Sequence, residues 1–458
     1  MCPRRLLRSA APALARGRWL LDRLRAVART ARPTSLADAA ATVAFAAVVC
    51  GVVVTGYLQG RVAVAVPTPL GPGSVVFLEA TVACLSLSAT YALSNALLFG
   101  QVVSADRRPG PTVGPAVTAV VPVHRDAAVL HRSVESLLAS RYEDLRVLVV
   151  AEPGDTASLE RARGLAAHDR VELLVNTASP GSKAGAVNYA ASVTDTPYLG
   201  VFDADERVDP WFLPAAVAGL ADADVVQGRT VPEPTGPVET VAYYESVLLA
   251  DLSDRLLSAL TGFEVAASRT VLMRRSAFEA VGGYDPAMLT EDFAFAFDCY
   301  AADLEVTELF AHASTTEAAH TVADWWGQRK RWMTGYAQVF HRLLGDCRAP
   351  DQYRTLVAPL ICGGSVLGNL FVLSLLPKVA VLLTAGAANW LALPLLTLVG
   401  TALALRLYDA RAGLVESVGL GYLLTPAVLP LFGLAGVKAI VEYLLTWEGE
   451  WYSVAKGA

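Results

Sequence analysis

Two aspartates one residue apart, Asp203 and Asp205, follow directly on a short apolar run that ends at Phe202. Carboxylates so placed suit Mg2+ or Mn2+ shared with a diphosphate, because these ions take one or two protein carboxylates and complete their coordination with substrate oxygens. Two more signatures follow in order: the acid pair of Thr290-Glu291-Asp292, and the cations and ring of Gln328-Arg329-Lys330-Arg331-Trp332. Each group also has a plain structural reading. The aspartates fit a loop ahead of a helix opened by Asp209-Pro210, and Glu291 with Asp292 fits the acidic first turn of a helix. The basic stretch, with Trp325 and Trp326, fits a collar at a bilayer surface. Short patterns of this kind are common by chance, so their order and frame carry more weight than any one of them.

That frame is an alternation of strands and helices. Residues 116–122 form a continuous apolar run closed by a proline, as a buried parallel strand would, and residues 127–139 carry a helical apolar period. Residues 145–150, 158–167, 171–175, 183–192 and 198–202 continue the rhythm as strand, helix, strand, helix and strand. Such alternation predicts an α/β domain with a mainly parallel sheet that binds ligands beyond the carboxyl ends of its strands. Asp203 and Asp205 stand at one such end.

The chain is 54% apolar and 17% charged, too apolar for an ordinary soluble protein. The apolar residues collect at 39–103 and 356–446. A bilayer core needs roughly 20 apolar residues in a helix, and residues 39–58, 75–103, 356–383, 390–405 and 418–445 qualify, with Pro377, Pro426 and Pro430 placed to kink or split them into five or six crossings. Residues 1–32 hold nine arginines against Asp22 alone, which predicts a cytoplasmic N-terminus, and two crossings then return the chain to the cytoplasm. The expected organisation is a basic arm (1–38), two transmembrane helices (39–105), a cytoplasmic domain ending in interfacial helices (106–350), three or four further helices (351–446) and an aromatic tail (447–458). Six scattered cysteines without Cys-x-x-Cys spacing argue against zinc and disulfides, and a net charge of −6 says little about partners. Nothing points to nucleic acid. A transporter is disfavoured because Glu79, Lys378, Lys438 and Glu442, the charges of the apolar segments, lie near their probable ends.

Together the motifs resemble the membrane-integrated processive branch of glycosyltransferase family 2, which includes hyaluronan, chitin and cellulose synthases. Val121-Pro122-Val123-His124-Arg125-Asp126 looks like that family's first strand and donor turn. Lys183-Ala184-Gly185-Ala186-Val187-Asn188 is similar to its Lys-Ala-Gly-x-x-Asn segment, and Arg274-Arg275-Ser276 through Gly282-Gly283-Tyr284-Asp285 to the stretch before its acid pair. The resemblance implies a GT-A-like nucleotide-sugar-binding domain flanked by transmembrane α-helices in a cell membrane. It also implies an inverting hexosyltransferase that uses Mg2+ or Mn2+ and a nucleotide sugar, with a UDP-sugar the expected donor.

Carried over by residue, the resemblance makes Asp203 and Asp205 contacts to nucleotide and metal, with Asp205 the more direct ligand. Asp292 becomes the general base and Glu291 an acceptor contact. Lys183, Gln328 and Arg331 belong to the donor site, and Trp332 to both donor and acceptor. One departure is Glu152, which stands in Val150-Ala151-Glu152-Pro153-Gly154-Asp155 where the family has paired aspartates, so Glu152 or Asp155 would hold the nucleotide. The acceptor is a growing polysaccharide, possible export included, or alternatively a lipid carrier or glycolipid that receives one sugar; an inactive scaffold is a third reading. The tail, Trp447 to Lys456, is similar to a Trp-containing tail of many relatives and reads as an interfacial aromatic anchor.

Overall fold

The structure, a computed structural model, describes residues 40–51, 54, 62–68, 71–77, 80–104, 110–346 and 353–457. The expected basic arm lies outside the described residues, as does most of the second half of the segment 39–58. The first half is a short apolar helix, α1 (Ala40–Gly51). The expected span 75–103 divides. Its first residues join an antiparallel hairpin of β1 (Val62–Thr68) and β2 (Gly71–Phe77), and α2 begins only at Ala80 (Ala80–Ser104). Gly71-Pro72-Gly73 disfavours a helix, and Val75 and Val76 are β-branched, so the hairpin takes them.

The central domain opens with β3 (Val117–Val123), α3 (Leu130–Leu138), β4 (Leu145–Ala151), α4 (Thr156–Leu165), β5 (Val171–Val175), α5 (Lys183–Val193) and β6 (Tyr198–Val201). It continues through α6 (Phe212–Gly219), β7 (Val225–Pro232), α7 (Pro237–Ser246), a π-helical turn (Val247–Ser253), α8 (Asp254–Thr261), β8 (Val271–Arg274), α9 (Arg275–Ala280), α10 (Glu291–Ala301) and β9 (Val306–Thr316). One sheet runs in the order β5-β4-β3-β6-β8-β7-β9. Pairing is parallel except where β8 lies antiparallel to both β6 and β7. Successive residues of β3 point to opposite faces. Val117, Ala119, Val121 and Val123 enter a core with α3 and α6, while Val120 enters a second core with α5 and α10. A strand covered on both faces explains the unbroken apolar run.

Four helical stretches among the described residues are long and apolar enough to cross a membrane: Ala83–Val103, Tyr353–Thr384, Asn389–Arg411 and Gly421–Thr446. After α11 (Val322–Asp346) come α12 (Tyr353–Thr384), which runs through Pro377 without interruption, then α13 (Asn389–Arg411) and α14 (Thr425–Thr446). Helix α14 packs on α11 and α12, and α13 packs on α2. Gly433 and Gly436 let α14 approach Asn369 of α12 so closely that a Cβ at Gly436 would collide with the Asn369 side chain.

A buried charge cluster ties the apolar helices to the sheet. Arg229 of β7 donates to Asp251 of the π-helical turn at 2.7 and 2.8 Å and to Asp409 of α13 at 2.6 and 3.1 Å. Tyr243 of α7 donates to the same Asp409 at 2.6 Å. The extra backbone residue of a π turn shifts the following side chains around the helix, and here it carries Asp251.

Candidate active site

Strand β6 ends at Val201, and the Phe202 amide still bonds the Val120 carbonyl at 3.0 Å, so the strand direction carries into Asp203. Phe202 is buried edge-to-face on Phe212, which fixes the turn from below. Lys183 is the first residue of α5, placed by Ser182, whose hydroxyl caps the helix by accepting from the Gly185 amide at 3.0 Å. Its ammonium forms a close ion pair with Asp203. Burial opposes ionisation of Asp203, but Lys183 and then Lys456 draw its carboxyl down to about 2. Burial would likewise lower Lys183, yet Asp203 and Glu291 hold it above its ordinary value.

Asp205 is buried and accepts from the Thr316 hydroxyl at 3.0 Å, the Glu317 amide at 3.1 Å and the Lys456 ammonium at 2.8 Å. Lys456 also lies 4.0 Å from Asp126, the last residue of the Val-Pro-Val-His-Arg-Asp segment. Burial raises Asp126 to about 6, with Lys456 pulling against it and Asp205 and Asp203 adding to it.

The acid pair opens α10. Glu291 is buried and accepts from the Ser268 hydroxyl at 2.9 Å; burial first, then Asp292, raises its pKa against the pull of Lys183. Asp292 is half-buried, and one of its oxygens accepts from the Phe293 amide at 2.8 Å. Two devices place this pair. Asn188, six residues into α5, donates to the Tyr284 carbonyl at 2.7 Å and accepts from the Tyr284 amide at 3.0 Å, stitching the lysine helix to the loop before α10. That loop turns at Gly282 and Gly283, with φ of +83° and +78°, a region side chains rarely enter. The second device is Gly335 of α11, which rests on Thr290 so tightly that a Cβ would lie 2.5 Å from its side chain.

Helix α11 sorts the basic stretch by neighbour. Arg329 is buried and held by Glu245 at 2.8 and 3.0 Å, with Trp325 donating to the same carboxylate at 3.0 Å. Lys330 pairs with Glu442 of α14 at 2.5 Å. Trp332 lies under the Arg329 guanidinium at 4.6 Å, and Gln328 accepts from that same guanidinium. Arg331 alone of the three cations faces the carboxylates: burial lowers its pKa while Glu291, Asp292 and Asp203 resist, and its Nε has no hydrogen-bond partner among the described residues. Asp203, Asp205, Lys183, Glu291, Asp292 and Arg331 are thus one electrostatic cluster, flanked by Gln328 and Trp332. Glu152 stands apart from this charge exchange. It accepts from Asn176 at 2.8 Å and the Gly181 amide at 2.9 Å, holding the loop into α5, while Asp155 caps α4 through Ser158 and accepts from the Arg125 amide at 2.5 Å.

The tail also packs on the domain. Trp447 takes a left-handed conformation, φ +56°, and turns the chain back along α11. Trp451 lies 4.1 Å under the Arg331 guanidinium, Tyr452 donates to Asp324 at 3.0 Å, and the Gly457 amide donates to Glu317 at 2.6 Å. Lys456 thereby reaches the aspartates. Sequence reasoning gave no site role to Lys456, and Asp126 entered it only as the end of the segment resembling a donor turn. The available signal for Lys456 was its scarcity, since the chain has five lysines among 37 basic residues.

Among the described residues no group of three or more His, Cys, Asp or Glu side chains is arranged to hold a metal alone. The donor set nevertheless fits a divalent ion that a diphosphate helps to hold. Asp203 and Asp205 are hard oxygen donors, and the Lys456 ammonium seated on Asp205 shows that the position accommodates a cation.

Residues 115–335 match the family model described as Glycosyltransferase like family 2. The chain is similar to the pre-mycofactocin glycosyltransferase of Mycobacterium tuberculosis, with 30% identity over 272 residues, 57% of this chain and 53% of that protein. It is also similar to the beta-monoglucosyldiacylglycerol synthase of Trichormus variabilis, with 25% identity over 179 residues and 38% of each chain covered. The chain thus spans about half the length, or less, of these curated relatives. Among solved structures, the mannosyltransferase PcManGT of Pyrobaculum calidifontis, in complex with GDP-Man and Mn2+, aligns with a TM-score of 0.47 and 20% identity over 77% of this chain and 99% of that one. Residues 115–335 thus match the glycosyltransferase family 2 model on a GT-A-like α/β fold whose seven-stranded sheet is mostly parallel.

Proposed function

We propose that this chain is a membrane-bound inverting glycosyltransferase that moves one hexosyl group from a nucleoside diphosphate sugar to a hydroxyl of an amphipathic acceptor. The observation that carries the reading is the charged set beyond the end of β6: Lys183 pairs with Asp203, Lys456 bonds Asp205, and Glu291, Asp292 and Arg331 act on these charges, in a chain with four helical stretches of membrane length among its described residues. Asp292 takes the proton of the acceptor hydroxyl. The freed oxygen bonds the anomeric carbon from the face opposite the diphosphate, and the bond to the diphosphate breaks with its electron pair leaving on that group. Lys183 and Arg331 stabilise the charge that gathers there, Gln328 and Trp332 border the donor, and Glu152 with Asp155 shapes the nucleotide end. Mg2+ or Mn2+ at Asp205 and Asp203, exchanging with Lys456, would neutralise further diphosphate charge. The arginine-rich N-terminal sequence supports a cytoplasmic catalytic domain.

A growing polysaccharide is the second reading of the acceptor, favoured by the Gln-x-x-Arg-Trp pattern. The relatives' names, one a glucosyldiacylglycerol synthase, favour a single transfer. Membranes carrying the full chain, offered a panel of radiolabelled nucleotide sugars with Mn2+ or Mg2+ beside an Asp292→Asn control, separate the two by product size. Absence of Asp292-dependent transfer from every donor would overturn the enzyme reading.

A further inference from the structure

The face of α11 that meets the catalytic acids does not end with them. Arg331, Gly335, Gln338, Arg342 and Gly345 recur at spacings of four, three, four and three residues, which places them on one stripe. Gly335 rests on Thr290, and one turn on, Gln338 accepts from the Leu289 amide at 3.1 Å. Beyond that the stripe lines a cavity of about 390 Å³ with Met288, His341 and, from α14, Tyr443. From Gly335 to Arg342 is seven residues, so the cavity lies roughly 10 Å along the helix from the acid pair.

Its lining mixes apolar and polar groups. Arg342 is held by Asp298 at 2.8 and 3.2 Å, with Asp285 at 3.8 Å, so its charge is already answered. The lining adds an amide, an imidazole and a phenol, with His341 Nδ1 and the Tyr443 hydroxyl hydrogen-bonded at 3.2 Å, and the Arg342 Nε has no hydrogen-bond partner among the described residues. The cavity also sits where a membrane-length helix ends: Trp447 packs on both His341 and Tyr443, the aromatic pattern of a bilayer interface. Beside it Leu344, Leu444 and Leu445 are 54%, 52% and 47% exposed.

Building on the transferase reading above, we propose that this cavity is the acceptor-anchoring subsite, holding the uncharged, hydroxyl-bearing headgroup of a membrane lipid whose chains stay in the bilayer beside Leu344, Leu444 and Leu445. A hydroxyl presented to Asp292 leaves the rest of such a headgroup lying along the α11 stripe toward Gln338 and His341. A cavity of this size suits a headgroup of a few polar groups and would hold little of a long polymer.

Gly345→Trp tests the assignment, because a Cβ at Gly345 meets nothing within 4 Å and the indole fills the cavity from open space. The full chain is combined with phosphatidylcholine vesicles containing a monohexosyldiacylglycerol, an uncharged lipid whose headgroup carries several hydroxyls. Three quantities are read: sugar transfer to the lipid, donor hydrolysis to water, and labelling by a photoreactive monohexosyldiacylglycerol mapped by peptide. Expected are a KM for the lipid raised about tenfold or more, unchanged Asp292-dependent hydrolysis, and loss of label from residues 338–345. Unaltered transfer and labelling in the variant would overturn the subsite, as would label that maps elsewhere or wild-type transfer confined to a phosphate-bearing lipid. Label at 338–345 without any Asp292-dependent donor turnover would instead sink the transferase reading and leave a lipid site.

Discussion

Replacing Arg229 by methionine removes the group that joins α13 to the sheet, and the structure sets the size of the effect. Arg229 is 4% exposed and satisfies two carboxylates through four hydrogen bonds; Asp251 and Asp409 are 2% and 0% exposed. Methionine fills much of the volume but leaves two buried carboxylates without their cation, a loss of about 3–5 kcal/mol. At roughly 2–4 °C per kcal/mol for a domain of this size, thermal unfolding in detergent followed by tryptophan fluorescence should fall by about 6–20 °C. Adding Asp409→Leu removes one stranded charge and should restore part of the loss. The Coulomb account therefore requires a double mutant more stable than Arg229→Met alone. A single variant within about 2 °C of the parent, or a double variant with strictly additive losses, would refute the reasoning and leave packing against Phe310 as the role of Arg229.

Three other outcomes follow from the site. Lys456→Met removes the cation that competes at Asp205, so Mn2+ should bind the donor-free protein about tenfold more tightly, read from the free Mn2+ signal by electron paramagnetic resonance; equal affinity would separate Asp205 from the metal. Gly335→Val must push α11 off Thr290 at a cost of about 1–3 kcal/mol, and donor turnover should drop tenfold or more while Gly345→Ala, in open space, keeps it. His320 is held charged by hydrogen bonds to Glu317 and Glu239, which raise its pKa above 6.5. Its contribution to stability is therefore full below pH 6.5 and is lost as pH rises through the raised value. His320→Gln should flatten the fall in melting temperature between pH 6 and 8, and an unchanged slope would count against the pairing.

Much of this architecture can be read in advance because buried strands write themselves as continuous apolar runs. The run expected at 116–122 is β3 at Val117–Val123, and Asp203 and Asp205 do leave the end of a strand. Strand β8 escapes such reading, since Val271-Leu272-Met273-Arg274 is too short to show a period and its reversed direction is set by its neighbours. The hairpin at 62–77 hides for a related reason, being apolar enough to pass for part of a span. Side-chain assignments divide along the same line. Lys183, Asp203, Glu291 and Asp292 come together because each sits at a helix or strand end that a motif marks, and Arg331 joins them from the middle of α11. Lys456 lies 251 residues from Asp205, in a segment whose aromatic content suggests an anchor, and only the left-handed turn at Trp447 brings it home. Composition alone does not separate Arg329 from Arg331; the resemblance assigns Arg331 to the donor site, and in the structure Arg329 is held by Glu245.

Scarcity of lysine in this chain makes amine chemistry a reporter. Lys183 and Lys456 sit on the two aspartates, Lys330 and Lys438 share Glu442, and Lys378 lies inside α12. Arginine serves nearly everywhere else, so two of only five lysines pair with Asp203 and Asp205. Reductive methylation read by mass spectrometry would then give a five-signal footprint, with the remaining lysines as internal references for the two paired with Asp203 and Asp205.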